Sequence, residues 1–382
     1  MSQERYKWFL LGWLFCDRII YTLNWLAISP AQPFIAKELG ADITSLGLLG
    51  AVFLVGIGGF QIPAGMVASR YGPRRTALFG LGLSSVFSAL CGLAPSFELL
   101  LLFRFLAGTF MSFFFGPGIA FIIPYFSVKE RGVALGLYNG GFHVGSLIAL
   151  GAWPFIITSM GWRLGLVLPG LLGVMMAAAT LVVSKSEGKK PMETQVELTV
   201  LKNKVVWLSA LGLTFSGGSW YPLTQFGILY LNSDVDLGLE TAGLLMASMS
   251  VGSVVASPFM GRMYDSAPSK NIFITTVNAA IAAAITAVSV KNVAVIAVSV
   301  FILGVLYIGV YTVYYLIPLE RVDGRDAPIA IALVNSVQLV AGSVLPYLFA
   351  MAAAGFGYWL AWILLGAVSS MSLVVSSRIR FN

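Results

Sequence analysis

Residues 8–34 read WFLLGWLFCDRIIYTLNWLAISPAQPF, and this stretch decides the class of fold. It is apolar over almost its whole length, and about 20 such residues in a helix cross the roughly 30 Å hydrocarbon core of a bilayer. Asp17 and Arg18 nevertheless lie side by side near its middle. Because a charged side chain at this depth costs at least about 2.5 kcal/mol, it usually serves an ion, a proton or a substrate. The pair is therefore the first candidate for function.

The composition of the whole chain predicts an all-α, polytopic membrane protein. Of its 382 residues, 58% are hydrophobic and 10% are charged, against about 25% charged in soluble domains. Apolar stretches long enough to cross a bilayer recur along the chain. We predict twelve spans, at approximately 8–35, 43–67, 73–94, 98–125, 131–159, 161–184, 205–232, 238–263, 270–290, 292–318, 327–355 and 357–377.

The positions of lysine and arginine predict the orientation. If both termini are cytoplasmic, the outer loops hold only Lys37, Arg163 and Lys291, and most other basic residues lie on the inner side, as the positive-inside rule requires. The net charge of +7 then reflects topology and contact with anionic lipid, and it makes no case for nucleic acid. The short loops and linker favour the plasma membrane of a bacterial or archaeal cell.

The chain is predicted to divide into two six-helix bundles. Residues 1–184 hold six spans, 185–204 form a charged cytoplasmic linker, and 205–382 hold six more. The halves echo each other at a constant offset, which pairs Asn139 with Asn335. Parallel repeats of this kind place a substrate site between the halves and give alternating access when they rock.

The loop after the second span reads Gly65-Met-Val-Ala-Ser69-Arg70-Tyr-Gly72-Pro-Arg74-Arg75, and it resembles the signature of the major facilitator superfamily. Ser69 replaces the usual acid. A weaker second copy, Gly261-Arg262-Met-Tyr-Asp265, keeps the acid and loses the following arginine. The resemblance implies the major facilitator fold. It also implies that Gly65 allows a close helix contact and that Arg70, Arg74 and Asp265 latch the cytoplasmic helix ends.

A narrower resemblance is to the anion:cation symporter branch, whose members carry organic or inorganic anions, many with protons. It rests on Asp17-Arg18, Glu38-Leu-Gly, Gln61-Ile-Pro-Ala-Gly65, Arg104-Phe-Leu-Ala-Gly108 and the stretch from Glu130 to Gly145. It implies that Arg18 holds the acid group of the substrate, that Asp17 takes part in proton coupling, and that Arg104 packs helices and gates. Met111 stands where some members have a second coupling acid, so proton coupling is less supported than anion binding.

The residues themselves allow two readings of the charged pair. The guanidinium of Arg18 is always charged and offers a planar fork of donors to a carboxylate or phosphate. Neighbouring residues on a helix point about 100° apart, so one can face a cavity and the other a neighbouring helix. Alternatively, Asp17 and Arg18 neutralise each other or bind polar neighbours, and only hold the first helix in place.

Further candidates come from depth and spacing. Asn139 and His143 share one face of the fifth span, and His143 is the only histidine of the chain. It could carry a proton or donate to an anion, or it could be a packing residue. The second half has no charge inside a span, so recognition there needs neutral groups. The predicted substrate-binding residues are Arg18, Tyr21, Asn139, His143, Trp220, Gln225, Tyr311 and Asn335.

Several classes of function are excluded. The sequence has no phosphate loop for a nucleotide, and one histidine with two separated cysteines predicts no metal site and no cofactor. An intramembrane enzyme would need a nucleophile with a base or a carboxylate pair, and Asp17 is the only acid away from the ends of the predicted spans, so we predict no enzyme. We predict a secondary transporter, a monomer like most proteins of this fold, which imports a small organic anion by proton symport. The alternatives are proton-coupled efflux of amphipathic compounds and a non-transporting membrane receptor on the same fold.

Overall fold

The computed structural model describes residues 2–185, 198–322 and 327–379. Most of the predicted linker therefore lies outside the described residues. Within them every regular element is a helix and there is no strand. Contacts divide the chain into two units, and one of the boundaries between them, at residues 54 and 55, falls inside a helix. Unit 1 comprises residues 1–39 and 55–194, and unit 2 comprises 40–54 and 195–382. The division into two six-helix bundles joined by the linker stays a prediction.

The first nine helices, which belong to unit 1 apart from the first part of α3, are α1 (Gln3–Leu26), α2 (Ile28–Leu39), α3 (Ile43–Gly59), α4 (Gln61–Tyr71), α5 (Pro73–Leu93), α6 (Phe97–Ile122), α7 (Arg131–Leu147), α8 (Trp153–Met160) and α9 (Trp162–Val183). The core of unit 1 forms where α5 packs against α6 and α9, and where α1 packs against α7. A short π-helical segment, Ile148–Ala152, joins α7 to α8.

The remaining helices of the described chain belong to unit 2. They are α10 (Lys204–Ser216), α11 (Trp220–Ser233), α12 (Leu239–Asp265), α13 (Lys270–Ala287), α14 (Val293–Leu319), α15 (Ala327–Gly342), α16 (Val344–Phe356) and α17 (Tyr358–Ser376). Helix α12 packs on α14, α13 packs on α17, and α10 lies against α15 and α17.

The two halves of the chain have similar turns at positions that correspond in the internal repeat. Gly161 ends α8 with φ +83°, and Gly357 ends α16 with φ +86°. Only glycine adopts this conformation without strain, so it reverses the chain between two spans. The two glycines are separated by the same offset as Asn139 and Asn335. Ser96 and Asn292 share this offset as well, and each caps the N-terminus of the helix that follows it.

Nine helices in the described part of the chain are long and apolar enough to cross a membrane, or ten when the bent pair α3 and α4 counts as one span. The two remaining predicted spans, the first and the seventh, are both broken. Helix α1 gives way to α2 at Ala27. Pro30, the third residue of α2, has no N–H to donate to the carbonyl of Leu26, and its ring would clash with that carbonyl in a continuous helix. A turn at Gly217–Ser219 separates α10 from α11. Interrupted spans at corresponding positions of two repeats point to the binding region of a transporter.

Candidate substrate-binding site

The site in unit 1 begins with an unusually close contact between α1 and α7. Gly141 and Gly145 are one helical turn apart and face α1. A Cβ at Gly141 would lie 2.6 Å from the carbonyl oxygen of Phe15 and 2.9 Å from Cβ of Arg18, and a Cβ at Gly145 would lie 2.5 Å from the carbonyl oxygen of Ile19. Small residues spaced in this way let two membrane helices approach backbone to backbone. The contact therefore places the stem of Arg18 directly on α7.

The guanidinium of Arg18 is surrounded by aromatic rings. Its central carbon lies 4.4 Å from the ring centroids of Tyr21 and Phe115, 5.0 Å from that of Phe142 and 5.8 Å from that of Tyr138. Each ring offers its negative face to the cation, an attraction of about 0.5 to 2 kcal/mol that grows with desolvation. We call these four residues the aromatic cage. These rings stabilise a buried cation that forms no ion pair among the described residues.

Two donor atoms of the Arg18 guanidinium have no hydrogen-bond partner. The residue is 6% exposed, and its buried Nε and Nη1 have no hydrogen-bond partner. No ion pair joins Arg18 to any carboxylate in the described chain. Buried donors are nearly always paired in proteins, and an exception calls for an explanation such as a ligand. An anion is the natural partner, because charge-assisted hydrogen bonds to a guanidinium are among the strongest in proteins.

Asp17 faces away from Arg18. It is completely buried, and its Oδ2 accepts a hydrogen bond of 2.9 Å from Oγ1 of Thr180 on α9. Its Oδ1 has no hydrogen-bond partner. The two neighbours thus use different faces of α1, as the rotation of about 100° per residue allows. Mutual neutralisation of the pair, the alternative left open by the sequence, does not occur in this conformation.

The two polar residues predicted on α7 lie differently. His143 is half-buried beside the aromatic cage, with its ring centroid 5.8 Å from that of Phe142. Asn139, one turn earlier, is exposed. The structure therefore brings Tyr21 and His143 to the neighbourhood of Arg18, and it places Asn139 on a more open part of the same helix. Their roles in binding stay predictions.

Arg104 forms hydrogen bonds at the break between α1 and α2. Its Nη1 and Nη2 donate to the carbonyl oxygens of Asn24 and Trp25, at 3.5 and 3.3 Å. These carbonyls lie in the last turn of α1, where acceptors lose their helical partners. The residue is 3% exposed. This geometry supports the packing role that the sequence indicated for Arg104 over direct contact with a substrate.

The residues predicted to latch the cytoplasmic helix ends each have their own local surroundings. Arg74 caps the end of α9, because its guanidinium donates to the carbonyl oxygens of Leu181 and Ser184 and to Oγ of Ser184. Arg70 stacks on the neighbouring Tyr71, 5.4 Å from the ring centroid. A Cβ at Gly65 would meet nothing within 4 Å, so this glycine is not at a close helix contact in this conformation. Asp265 is exposed and forms no ion pair among the described residues.

An ion pair joins the N-terminal ends of α1 and α7. Nζ of Lys7 lies 2.8 Å from Oε1 of Glu130 and 2.7 Å from Oε2 of Glu4. Glu130 also accepts hydrogen bonds from the backbone N–H and the hydroxyl of Ser127. The ammonium of Lys7, followed by Ser127, lowers the pKa of the Glu130 carboxyl to about 2. Helices α1 and α7, which carry three of the four cage residues, are thereby joined both at the glycine contact and at this end.

Unit 2 holds a separate polar network. Tyr221 on α11 donates to Oε1 of Gln338 on α15 at 2.9 Å, and Tyr315 on α14 donates to Oδ1 of Asn335 at 2.7 Å. Nε2 of Gln338 lies 3.4 Å from the same Oδ1 and joins the two pairs. The predicted residues Trp220 and Tyr311 flank this network, with ring centroids 5.6 Å from Tyr221 and 6.1 Å from Tyr315 respectively.

Gln225 lies apart from that network. Its Nε2 donates to the carbonyl oxygen of Leu46 at 2.7 Å, and its side chain fills the space above Gly50, where a Cβ would collide with its amide. Gly47 makes a similar close contact with α16, where its Cβ would lie 2.7 Å from that of Ala350. In this structure Gln225 therefore holds the first part of α3 within unit 2. Its predicted role in substrate binding remains a prediction.

Sequence reasoning missed four residues of the site: Phe115, Tyr138, Phe142 and Thr180. A signal existed for two of them, because Tyr138 and Phe142 are spaced by four residues and share a helix face with the glycine that packs on Arg18. Phe115 and Thr180 come from helices distant in sequence. A phenylalanine among apolar neighbours or a threonine near a helix end carries no signal by itself.

Comparisons with known proteins agree with this architecture. A family model described as Major Facilitator Superfamily matches residues 14–346. A solved structure titled as a bacterial homologue of the human lysosomal transporter Spinster, in an inward-facing and unoccupied conformation, superposes with a TM-score of 0.75 at 20% identity. It covers 97% of this chain and 93% of that one. At this identity the likeness shows the fold alone.

Two curated proteins are similar in sequence. The "Probable L-galactonate transporter" of Escherichia coli (strain K12) is 26% identical over 256 residues, which cover 61% of this chain and 56% of that protein. The "Hexuronate transporter" of Bacillus subtilis (strain 168) is 25% identical over 251 residues, covering 63% and 59%. The chain thus spans a little more than half the length of the relatives it matches.

Proposed function

Because the chain belongs to the Major Facilitator Superfamily, a family of membrane transporters and not of enzymes, we propose that it imports a small organic anion. The anion is a carboxylate, Arg18 holds its acid group, and uptake is coupled to protons by alternating access. One observation carries this proposal. It is a buried guanidinium whose Nε and Nη1 have no hydrogen-bond partner and whose faces are covered by aromatic rings.

The aromatic cage supports a binding role for Arg18 over a purely structural one. A structural arginine is normally held by hydrogen bonds to carbonyls or carboxylates, as Arg104 is. Arg18 is held by ring faces, which leave the edge of the guanidinium available for hydrogen bonds. Relatives named for galactonate and hexuronate, both carboxylates, favour the same class of substrate.

Asp17 is the proposed proton-coupling residue. It is buried, has one hydrogen bond, from Thr180, and has no cationic partner in the described chain. Asp17 does not compete with a substrate for Arg18 in this conformation, because its carboxylate accepts from Thr180 on α9 while the stem of Arg18 packs on α7. We propose instead that a change in the protonation of Asp17 alters its bond to α9 and thereby the position of α1, which carries Arg18.

Uptake into proteoliposomes tests anion transport. Purified protein is reconstituted and supplied with labelled L-galactonate or glucuronate at an inward proton gradient. We expect Arg18→Ala to abolish uptake and Arg18→Lys, which keeps the charge without the planar fork, to retain a small part of it. The matched control is Arg5→Ala, since Arg5 is exposed near the N-terminus of the same helix. The proposal is wrong if Arg18→Ala transports every anion that the parent transports at the same rate.

Proton coupling needs its own experiment. Asp17→Asn should remove accumulation driven by a proton gradient and preserve exchange of labelled for unlabelled anion, because exchange needs no net movement of protons. Asp236→Asn is the control, since Asp236 is exposed and has φ +59°, a conformation that asparagine also tolerates. If Asp17→Asn still accumulates the anion against its gradient, coupling by Asp17 is refuted.

We also propose that the protein is a monomer in the plasma membrane with both termini in the cytoplasm. The distribution of lysine and arginine supports this orientation. A cysteine introduced at Ser2 should react with a membrane-impermeant maleimide only after the cells are permeabilised. Labelling in intact cells would contradict the orientation, and a dimer mass in detergent-corrected light scattering would contradict the monomer.

A further inference from the structure

The number of cations available to a substrate is unusually small. Away from the ends of the predicted spans, the sequence places only two cations, Arg18 and Arg104. Arg104 already donates to the carbonyl oxygens of Asn24 and Trp25 at the end of α1. Arg18 keeps two buried donors, Nε and Nη1, without a hydrogen-bond partner, and it forms no ion pair in the described chain. A substrate at this depth therefore meets a single positive charge.

The surroundings of that charge are unfavourable to a second negative charge. The groups closest to the guanidinium are the rings of Tyr21, Phe115 and Phe142, at 4.4 to 5.0 Å. Aromatic rings carry negative charge on their faces, so they stabilise the arginine and repel an anion that is not held by it. A second anionic group would lose its hydration and find no cation in return, which is the costly case for a buried charge.

Asp17 and a neutral His143, two titratable residues near the site, do not supply a second positive charge to it. Asp17 would add a negative charge if ionised, but it faces Thr180 on α9. His143 could add a positive charge if protonated, and its ring centroid lies 5.8 Å from that of Phe142, which in turn lies 5.0 Å from the central carbon of the Arg18 guanidinium. As a neutral imidazole it offers a hydrogen bond and no charge.

We propose that the site accepts substrates with one negative charge, on a planar oxyanion such as a carboxylate, and rejects dianions of the same size. This inference rests on the proposed function and deepens it, because it names the charge of the substrate. A sugar acid with one carboxylate fits the site. The corresponding dicarboxylate and the corresponding sugar phosphate do not.

The experiment compares ligands that share a body and differ in charge. Binding of L-galactonate and of galactarate, its dicarboxylate counterpart, to the purified full-length protein is measured by calorimetry at neutral pH. A second pair is glucuronate and glucose 6-phosphate. We expect the dianions to bind at least about thirtyfold more weakly, since a desolvated charge without a partner carries the largest penalty at a binding interface.

Two variants separate charge from geometry. Arg18→Lys keeps the single charge and loses the planar fork, so it should weaken both ligands and keep the preference for the monoanion. His143→Lys adds a cation beside Phe142, so it should bring the affinity for galactarate closer to that for L-galactonate. If His143→Lys does not fold, the ratio measured on the unmodified protein remains decisive.

The outcomes distinguish the inference from the proposed function. If galactarate binds as tightly as L-galactonate and both lose binding in Arg18→Ala, the restriction to one charge is overturned and the anion transporter stands. If neither the sugar acids nor glucose 6-phosphate binds, or if binding is the same in Arg18→Ala, the proposed function fails and the inference fails with it. A preference for monoanions that depends on Arg18 supports both.

Discussion

Substitution of Gly141 by alanine tests whether the glycine contact between α1 and α7 sets the position of Arg18. The added Cβ would lie 2.6 Å from the carbonyl oxygen of Phe15 and 2.9 and 3.2 Å from Cβ and Cγ of Arg18. The nearest of these atoms is backbone, so a side-chain rotation cannot relieve the clash. Helix α1 itself has to move away from α7.

The size of the effect follows from these distances. Ordinary contacts of a Cβ begin at 3.4 Å, so the helices must separate by roughly 0.8 Å, and overpacking of this kind costs about 1 to 3 kcal/mol. Arg18 moves with α1, while Phe142 and Tyr138 stay on α7. Because binding groups must be held within about 0.5 Å, we expect about tenfold weaker binding of L-galactonate.

The neighbouring glycine gives a matched control. A Cβ at Gly140 would lie 3.7 Å from its nearest neighbour, a ring atom of Phe15, which is an ordinary contact. Both substitutions raise helix propensity by the same amount, about 1 kcal/mol. The difference in stability between the two variants therefore measures the packing at Gly141. In detergent, Gly141→Ala should melt at least about 2 °C below Gly140→Ala. Equal melting temperatures and equal affinities for L-galactonate would refute the role of this contact.

Three further outcomes are expected. At neutral pH Glu130→Gln should melt at a lower temperature than the parent, and this difference should disappear as the pH falls from about 4.5 to 2. The reason is that Lys7 depresses the pKa of Glu130, so the ion pair stabilises the fold until that carboxyl is protonated. Gly50→Ala should displace the amide of Gln225 and cost about 0.5 to 1.5 kcal/mol, the net value of one hydrogen bond. Arg74→Ala should lower the free energy of unfolding by about 1.5 to 3 kcal/mol, because charged donors to the end of α9 are lost.

Each of these predictions has a defined control and a contrary result. A constant difference between Glu130→Gln and the parent down to pH 2 would exclude the ion pair as its cause. Gly50→Ala should have no further effect in a Gln225→Ala background, and an additive effect would mean that another contact is responsible. Arg75 is exposed beside Arg74, so Arg75→Ala should leave the melting temperature unchanged, and an equal loss in both variants would point to general charge effects.

The sequence predicted the class of fold because a membrane-spanning helix can be recognised from the hydropathy of a short stretch of residues. The all-α membrane fold and the superfamily are confirmed by the family match and the solved structure, and the transporter class follows from them. Hydropathy could not show that the first and seventh spans are broken, because Pro30 and the Gly217–Ser219 turn interrupt runs that remain apolar in composition. The sequence also placed Arg18 at the centre of the proposed site, since a cation inside an apolar stretch can be recognised without any knowledge of the tertiary structure.

What surrounds Arg18 was decided by tertiary structure. Rings on α6 and α7 and a hydroxyl on α9 converge on two neighbouring residues of α1, and their sequence separations of about 100 residues or more leave no local pattern. The two glycines of α7 permit its close approach to α1, and that approach places the stem of Arg18 on α7. Composition along the chain thus determines that a helix lies in the membrane and carries a charge. Only the packing of several helices determines whether that charge is neutralised, enclosed by rings or left with donors for a ligand.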